Sequence, residues 1–264
     1  MPQSTSKKNY RLKPAPAATF TSAALTDVGC VRKRNEDNFF CSDHDRIFMV
    51  ADGMGGHQGG NVASHIVSHY LPNALLKQQI FLQRSPKALL ARFLTTQVQK
   101  TSAKVHRMGL ENRHLTGMGS TLIMALARPP WVVIANVGDS RAYLIRYGAM
   151  MQISDDHSTV NGMIKRGEIT AQQARVHPAR HIITRFIGMG AHTKTDLGLL
   201  YLRKGDRLLL CSDGLTDMLE DGTIVQIANE SRSAQQAVSQ LVEAAKAAGG
   251  VDNITVVIAD YHGI

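Results

Sequence analysis

Apolar residues recur along this chain with two different periods. Short runs rich in β-branched residues predict strands at 22–27, 38–41, 46–51, 121–127, 131–137, 141–146, 150–153, 197–202, 206–211 and 254–260. Apolar positions three or four residues apart predict helices at 61–77, 86–108, 158–166, 170–175, 223–229 and 234–248. Short turns between successive strands favour antiparallel pairing. Strands in runs and helices in pairs predict an α+β fold, in which helices flank a central antiparallel β-sandwich.

The chain divides into a short tail and one domain. Residues 1–19 are rich in Lys, Pro, Ala and Ser, which predicts a flexible basic tail. Residues 20–264 show no internal repeat or linker, and this length suffices for one hydrophobic core. Within the domain, the segment 154–190 is irregular and rich in His and Arg. We expect this segment to be mobile and to lie beside a functional site.

Composition argues against several protein classes. Apolar residues make up 44% of the chain, a normal globular fraction. No apolar run approaches the ~20 residues that span a bilayer, and the first residues lack the apolar core of a secretory signal. Cys30, Cys41 and Cys211 are odd in number and lack CxxC spacing, so we expect reduced, buried thiols. These features predict a cytoplasmic protein without membrane insertion, and we expect a monomer.

The net charge of +9 raises the question of nucleic-acid binding. The positive charge is dispersed, however, and the only tight cluster outside the tail is at 32–34. The chain has no zinc-finger spacing or RNP-like motif, and only 5% aromatic residues for base stacking. We therefore expect no nucleic-acid partner. A basic surface suits phosphorylated or acidic protein segments equally well.

Several acidic residues lie at the ends of predicted strands. Asp52, Asp139 and Asp213 each follow a buried apolar run, and Asp252 precedes one. A single Asp-Gly pair is most often only a turn, but here the arrangement recurs. Carboxylates that converge repel one another and are costly to bury unless a cation neutralises them. Oxygen ligands suit Mg²⁺ or Mn²⁺ rather than zinc, so the pattern predicts a metal site.

The acids lie in short motifs whose order and spacing resemble a known family. The motifs are RNEDN, VADGMGG, VGDSR, CSDGLTD and VDNIT. From about residue 21 to 258 the chain resembles the metal-dependent serine/threonine phosphatases of the protein phosphatase 2C family, bacterial type. The resemblance implies an α-β-β-α sandwich that hydrolyses phosphoserine and phosphothreonine with two Mn²⁺ or Mg²⁺ ions. It also implies in-line attack by a metal-bridging hydroxide, without a covalent phosphoenzyme.

The resemblance assigns the metal ligands residue by residue. Asp52 bridges the two ions, the Gly53 carbonyl binds one of them, and Glu36 acts on the same side. Asp213 and Asp252 hold the other ion. A third ion, which bacterial members often bind, matches Asp139 together with Asp213. The complete set of implied ligands is Glu36, Asp52, Gly53, Asp139, Asp213 and Asp252.

Other roles follow from the same resemblance. Arg32 matches the arginine that binds the substrate phosphate with a planar fork of donors. Asp37 is expected to orient metal-bound water from behind Glu36. The general acid is open, because Met54 replaces the histidine of eukaryotic members. His57, His157 or a metal-bound water are the candidates.

Three functions are weighed. The leading hypothesis is a phosphoprotein phosphatase that opposes a bacterial serine/threonine kinase. A phosphopeptide-binding pseudophosphatase and a nucleic-acid-binding protein are the alternatives. The segment 154–190 corresponds to the variable flap of the family, whose cations would either attract phosphopeptides or form an ordinary solvated surface. These cations are Lys165, Arg166, Arg175, Arg180 and Arg185.

Overall fold

The structure is a computed structural model that describes residues 20–55, 59–78 and 84–263. The predicted flexible tail and His57 lie outside these residues. In chain order the strands are β1 (Phe20–Asp27), β2 (Asn38–Ser42), β3 (Ile47–Ala51), β4 (Gly53–Met54), β5 (Gly119–Ser120), β6 (Leu122–Arg128), β7 (Trp131–Val137), β8 (Arg141–Arg146), β9 (Ala149–Gln152), β10 (Asp196–Tyr201), β11 (Arg207–Cys211) and β12 (Ile254–Tyr261).

The strands of the described chain form two five-stranded antiparallel sheets that face each other. One sheet has the order β1-β12-β11-β8-β9 and the other has the order β10-β7-β6-β3-β2. Strands β4 and β5 form a separate short pair. In β3 all five residues are buried, because Phe48 and Val50 pack between the sheets while Ile47 and Met49 pack against helices. A continuous apolar run is therefore the expected sequence of this strand.

Helices cover both outer faces of the sandwich. The helices are α1 (Gly59–Leu76), α2 (Lys87–Glu111), α3 (Thr159–Lys165), α4 (Ala171–Arg175), α5 (Asp213–Thr216), α6 (Asp221–Glu230) and α7 (Ala234–Ala247), with a 3₁₀ turn at Arg113–Leu115. Helices α1 and α2 pack on the sheet that contains β3, and α6 and α7 pack on the sheet that contains β12. Helices α3 and α4 lie in the flap. Ser158, Thr170 and Ser233 cap α3, α4 and α7 with side-chain oxygens.

The predicted α+β sandwich is confirmed, and the predicted strands agree with the observed ones within two residues. Three short elements, the β4–β5 pair, the 3₁₀ turn at Arg113–Leu115 and α5, were not predicted, because none is long enough to show a period. The prediction of buried thiols was wrong for Cys30, which is exposed, while Cys211 is buried and Cys41 is half-buried. Cysteine number and spacing carry no information about where each thiol lies. Among the described helices, none has both the length and the apolar character to cross a membrane.

Candidate metal centre

The topology brings the strand ends that carry the acids to one end of the sandwich. Strand β3 ends beside the start of β6, which in turn lies beside the end of β7. The Gly138–Ser140 turn then crosses to β8 in the other sheet, where Arg141 pairs with Cys211 and Cys211 pairs with Val256. The end of β11 and the start of β12 therefore share this edge. All five motifs of the sequence lie around it.

The carboxyl groups of Asp52 and Asp213 interact directly at this edge. Burial raises the pKa of each well above its ordinary value, and neighbouring carboxylates raise it further. The neighbours that raise it are Asp37, Asp213 and Asp139 for the first carboxyl, and Asp139, Asp217 and Asp252 for the second. The predicted convergence of these acids is thus present in the structure.

Asp37 is buried behind Asp52 and held by two hydroxyl groups. Ser212 Oγ and Thr255 Oγ1 donate hydrogen bonds to its Oδ2, at 2.8 and 2.7 Å. Burial raises the pKa of Asp37 to about 6, although these two donors act in the opposite direction. The two hydroxyls fix the Asp37 carboxyl next to Asp52. Such a position suits a residue that orients a metal ligand better than one that binds the metal itself.

Asp139 gives the clearest evidence that the acids lack a neutralising cation or hydrogen-bond donor among the described residues. It is 8% exposed, and its Oδ1 atom is buried without a hydrogen-bond partner among the described residues. Burial raises its pKa to about 7, with repulsion from Asp156 and Asp217 adding to the effect. Buried polar atoms without partners are rare in folded proteins. A divalent cation fits this set, because it supplies positive charge to several hard oxygen ligands at once.

Glu36 and Gly53 meet the start of α1 at very close range. A Cβ atom on Gly53 would lie 2.2 Å from the Gly60 carbonyl oxygen and 2.5 Å from that of Glu36. A Cβ atom on Gly60 would lie 2.4 Å from Glu36 Oε2. Only glycine fits at both positions, because a Cβ atom at Gly53 would clash with two backbone carbonyls and one at Gly60 with the Glu36 carboxylate and the Gly53 backbone. The two predicted ligands of one ion, Glu36 and Gly53, are therefore adjacent.

Asn253 fastens the loop that carries Glu36, and sequence reasoning missed it. Its Oδ1 accepts the Glu36 N–H at 2.8 Å, and its Nδ2 donates to the carbonyls of Val28 and Arg34 at 3.0 and 2.9 Å. The available signal was the Asn directly after Asp252, in a motif examined only for its acid. An amide can donate and accept at once, which explains how one side chain holds both sides of this loop.

Thr121 fixes Asp52 through backbone and side chain. Its Oγ1 accepts the Asp52 N–H at 2.9 Å and its N–H donates to the Asp52 carbonyl at 2.8 Å. The same hydroxyl bonds to Ser140 Oγ at 2.7 Å, next to Asp139. One buried hydroxyl thus sets the distance between two of the acids.

Arg32 lies at the rim of the acidic edge. Its side chain is 58% exposed, and its Nη2 donates to Asp252 Oδ2 at 2.6 Å. The hydrogen bond with Asp252 raises the pKa of the guanidinium. The fork thus lies within reach of both solvent and the acids, as a phosphate-binding arginine requires.

His157 is a structural residue in this arrangement. It is buried, its Nδ1 accepts the Gly138 N–H at 3.0 Å, and its Nε2 lies 3.2 Å from Asp196 Oδ2 and 2.8 Å from Arg185 Nη1. Burial lowers the pKa of the imidazole. A neutral ring with both nitrogens engaged holds the turn before Asp139, and it is poorly suited to donate protons to a leaving group.

Three of the predicted flap cations are paired with carboxylates. Lys165 pairs with Asp155, Arg166 with Glu168, and Arg185 with Asp196. Arg175 Nη2 donates to the Thr216 carbonyl at 3.3 Å. These contacts favour the reading of an ordinary solvated surface for most of the flap charge.

Comparison with known proteins identifies the family. A family model described as protein phosphatase 2C matches residues 31–250. The match spans most of the chain and contains the acidic motifs from Glu36 to Asp213. The chain belongs to the protein phosphatase 2C family. The resemblance inferred from the motifs is therefore confirmed.

Similar proteins of this family are bacterial phosphatases. The "Serine/threonine phosphatase stp" of Listeria innocua is 36% identical over 244 residues, which cover 90% of this chain and 94% of that protein. The Mycobacterium tuberculosis serine/threonine phosphatase PstP/Ppp superposes with a TM-score of 0.82 at 35% identity, over 92% of this chain and 98% of that one. The PstP catalytic domain in complex with two manganese ions gives 0.80 at 33% identity, over 93% and 99%. The predicted enzyme class, a metal-dependent serine/threonine protein phosphatase, is confirmed.

Proposed function

We propose that this enzyme hydrolyses phosphoserine and phosphothreonine in proteins with two Mn²⁺ or Mg²⁺ ions bound at the acidic edge of the sandwich. The observation that carries the proposal is the set of converging buried carboxylates, whose pKa values are raised and in which Asp139 Oδ1 has no partner. The manganese complex of PstP, which has the same fold, supports it.

The ligands divide into groups by their place in the fold. Asp52 would bridge the ions, with Glu36 and the Gly53 carbonyl on one side. Asp213 and Asp252 would hold the ion on the other side. A third ion would bind between Asp139 and Asp213. Bound there, the ions supply an activated water and stabilise charge on the phosphoryl oxygens.

The protein's own groups orient the substrate and the ligands. Arg32 binds two phosphoryl oxygens once its fork turns away from Asp252. Asp37, held by Ser212 and Thr255, accepts a hydrogen bond from water at the site and so fixes its orientation. Arg32 thus positions the substrate and Asp37 positions the water, and neither role requires a covalent bond between substrate and enzyme.

The surrounding hydroxyls favour water as the nucleophile. Thr121, Ser140 and Ser212 are fully buried, and each hydroxyl already bonds to a neighbour. None of these three is placed to attack an incoming phosphate. In-line displacement without a phosphoenzyme therefore agrees with the site. The partner kinase, the choice between Mn²⁺ and Mg²⁺, the monomeric state and the cytoplasmic location stay predictions.

Asp52→Asn tests the proposal directly. Substitutions of residues that only hydrogen-bond to a metal ligand lower activity by up to ~100-fold. Because Asp52 would itself be a ligand, we expect the release of phosphate from a phosphothreonine peptide to fall by more than this. Calorimetry should show weaker binding of Mn²⁺ in the same variant, because a carboxylate oxygen is lost. Glu111→Gln, which changes an exposed acid on α2, is the matched control and should behave as wild type.

Two outcomes would contradict the proposal. Asp52→Asn that keeps full activity in the presence of a chelator would exclude the metal centre. Wild-type protein that binds the phosphopeptide but releases no phosphate at saturating Mn²⁺ would support the pseudophosphatase instead.

A further inference from the structure

A cavity of about 320 Å³ lies at the end of the sandwich opposite the acidic edge. Among the described residues it is lined by Arg46, Arg128, Pro129 and Trp131. Arg46 directly precedes β3 and Asp52 directly follows it. A strand rises ~3.3 Å per residue, so the two ends of β3 place the cavity and the acidic edge roughly 20 Å apart. The cavity is therefore separate from the proposed metal centre.

The ends of several strands and the start of one helix bring basic and aromatic side chains to this cavity. Arg128 and Trp131 face each other across the β6–β7 hairpin. Strand β3 pairs with β6, which places Arg46 next to the end of β6. Tyr201, at the end of β10, pairs with Trp131, and Lys87 begins α2 close to both rings. Residues far apart in sequence thus form one basic and aromatic surface.

Two of the cations lie against the aromatic rings. The Arg128 guanidinium is 5.0 Å and the Lys87 ammonium 5.3 Å from the centroid of the Trp131 ring, within the range of cation–π contacts. Lys87 Nζ also donates to Tyr201 Oη at 2.9 Å, and Arg128 Nη1 donates to the Ser85 carbonyl at 3.0 Å. Burial lowers the pKa of the Arg128 guanidinium, because loss of water disfavours the charged form.

Arg46 adds a third cation, which is held in an unusual conformation. Its φ is 58°, a backbone conformation that residues with bulky side chains seldom adopt. Its Nε is buried and has no hydrogen-bond partner among the described residues. The acids of the same turn are engaged elsewhere, since Asp45 accepts from Ser42 Oγ at 2.7 Å and Asp43 from the Ser22 N–H at 3.3 Å. A buried donor of this kind normally has an acceptor.

The charges around the cavity favour an anion with several oxygen atoms. Within the described part of the chain, no ion pair includes Arg46 or Lys87. A phosphate group carries nearly two negative charges and three acceptor oxygens, so it can accept from two guanidinium groups at once. A single carboxylate offers two oxygens and one charge, and it matches this set of donors less well.

We propose that this cavity binds a phosphate group through the guanidinium groups of Arg46 and Arg128, with the indole of Trp131 beside it. No proposed metal ligand belongs to the cavity, so binding there does not depend on the proposed function. The same phosphate oxygens are offered by free inorganic phosphate and by a protein segment that carries a phosphorylated residue. The experiment below distinguishes these two sources.

Fluorescence of Trp131 tests the proposal, because Trp131 is the only tryptophan of the chain. Titration of the Mg²⁺-loaded protein with inorganic phosphate at constant ionic strength should change the emission and reach saturation. Arg46→Gly should weaken the apparent affinity at least tenfold. Glycine adopts a φ of 58° without strain, so this variant should fold, and urea denaturation checks that it does. Arg32→Ala should keep the response, which separates it from phosphate bound at the acidic edge.

Matched variants control for strain and for charge. Tyr147→Gly relieves a similar backbone strain, at a φ of 53°, in an exposed residue that does not line the cavity. Arg232→Ala removes an exposed guanidinium elsewhere on the surface. Both should bind phosphate as wild type does. Arg128→Lys keeps the charge but loses the planar fork, so its affinity should fall severalfold.

A peptide that carries a non-hydrolysable phosphonate in place of phosphothreonine identifies the source of the phosphate. Tighter binding of this peptide than of inorganic phosphate, lost in Arg46→Gly, would assign the cavity to phosphorylated protein segments. Equal or weaker binding would assign it to free phosphate.

Several results would overturn the inference. These are the absence of a saturable Trp131 response to both probes, an equal response to chloride, equally tight binding of an unphosphorylated glutamate peptide, and wild-type affinity in Arg46→Gly. If Asp52→Asn still loses Mn²⁺ and activity in that case, the proposed function stands and only the phosphate site fails.

Discussion

The acidic edge, which carries Asp52 and Asp213, and the flap, residues 154–190, arrange charge in opposite ways. At the edge, like charges are buried together on the ends of rigid strands, as with Asp52 and Asp213. In the flap, opposite charges pair near the surface, as with Arg166 and Glu168, which are 59% and 48% exposed. Buried like charges are costly without a cation, whereas exposed ion pairs contribute little to stability. Substitutions at the edge should therefore change stability strongly, and substitutions in the flap should change it only slightly.

The largest effect on stability should come from the ionisation of the buried acids in the metal-free protein, and one of these acids is Asp139. Its pKa is raised to about 7 by burial, so the folded protein binds this proton more tightly than the unfolded chain does. The contribution to stability is complete below the unfolded pKa near 4 and is lost as the pH rises through about 7. Wild type in a chelator should therefore lose on the order of a few kcal/mol between pH 4 and pH 8.

Asp139→Asn should make this decline shallower, because the amide does not ionise, while Asp37, Asp52 and Asp213 still contribute to it. Urea denaturation at several pH values measures the free energy of unfolding in both proteins. Saturating Mn²⁺ should also remove the decline in wild type, since a cation favours the ionised carboxyl. A wild-type free energy of unfolding that rises between pH 4 and pH 8 in chelator would show that burying these acids together does not destabilise the metal-free protein.

Removing a neutral hydroxyl that donates a hydrogen bond to one of the acids should have a smaller effect on stability. Thr255→Val removes one of the two hydroxyls that donate to Asp37, and the shape of the side chain is kept. Loss of a hydrogen bond to a buried carboxylate should lower the free energy of unfolding by about 1–3 kcal/mol. Denaturant titration at neutral pH measures this change.

Thr96→Val is the matched control, because within the described part of the chain its hydroxyl bonds only to the Arg92 carbonyl, on the exposed face of α2. This control should leave stability nearly unchanged. A loss in Thr255→Val no greater than in Thr96→Val would show that the Asp37 hydroxyl partners contribute nothing beyond packing.

The acidic edge could be predicted from the sequence, because apolar runs show where strands end. Apolar runs marked β3, β7 and β11, and the acid after each run had to lie at a strand end. Antiparallel order then placed those ends together. The same reasoning could not reveal Asn253, whose three hydrogen bonds join segments more than 200 residues apart.

The flap helices α3 and α4 were predicted within one residue, but the contacts of the flap were not. Only Val160 and Ala174 are buried in these helices, so the sequence pattern does not indicate what they pack against. Ion pairs between neighbours in sequence, such as Arg166 with Glu168, are compatible with many backbone paths. His181 Nδ1 lies 3.6 Å from Asp217 Oδ2 because of the tertiary fold, and no sequence motif connects the two residues.

The smallest effect should come from the flap side of the comparison. Arg185→Ala removes the cation that contacts Asp196 at 2.8 Å and the His157 ring. Because the side chain is still 26% exposed, water replaces part of the lost interaction, and the loss should be roughly 1 kcal/mol or less. Denaturant titration measures it, and Arg166→Ala, on the more exposed pair with Glu168, should show no change. If Arg185→Ala lowers the free energy of unfolding as much as Thr255→Val does, the flap contacts stabilise the fold as strongly as those of the acidic edge.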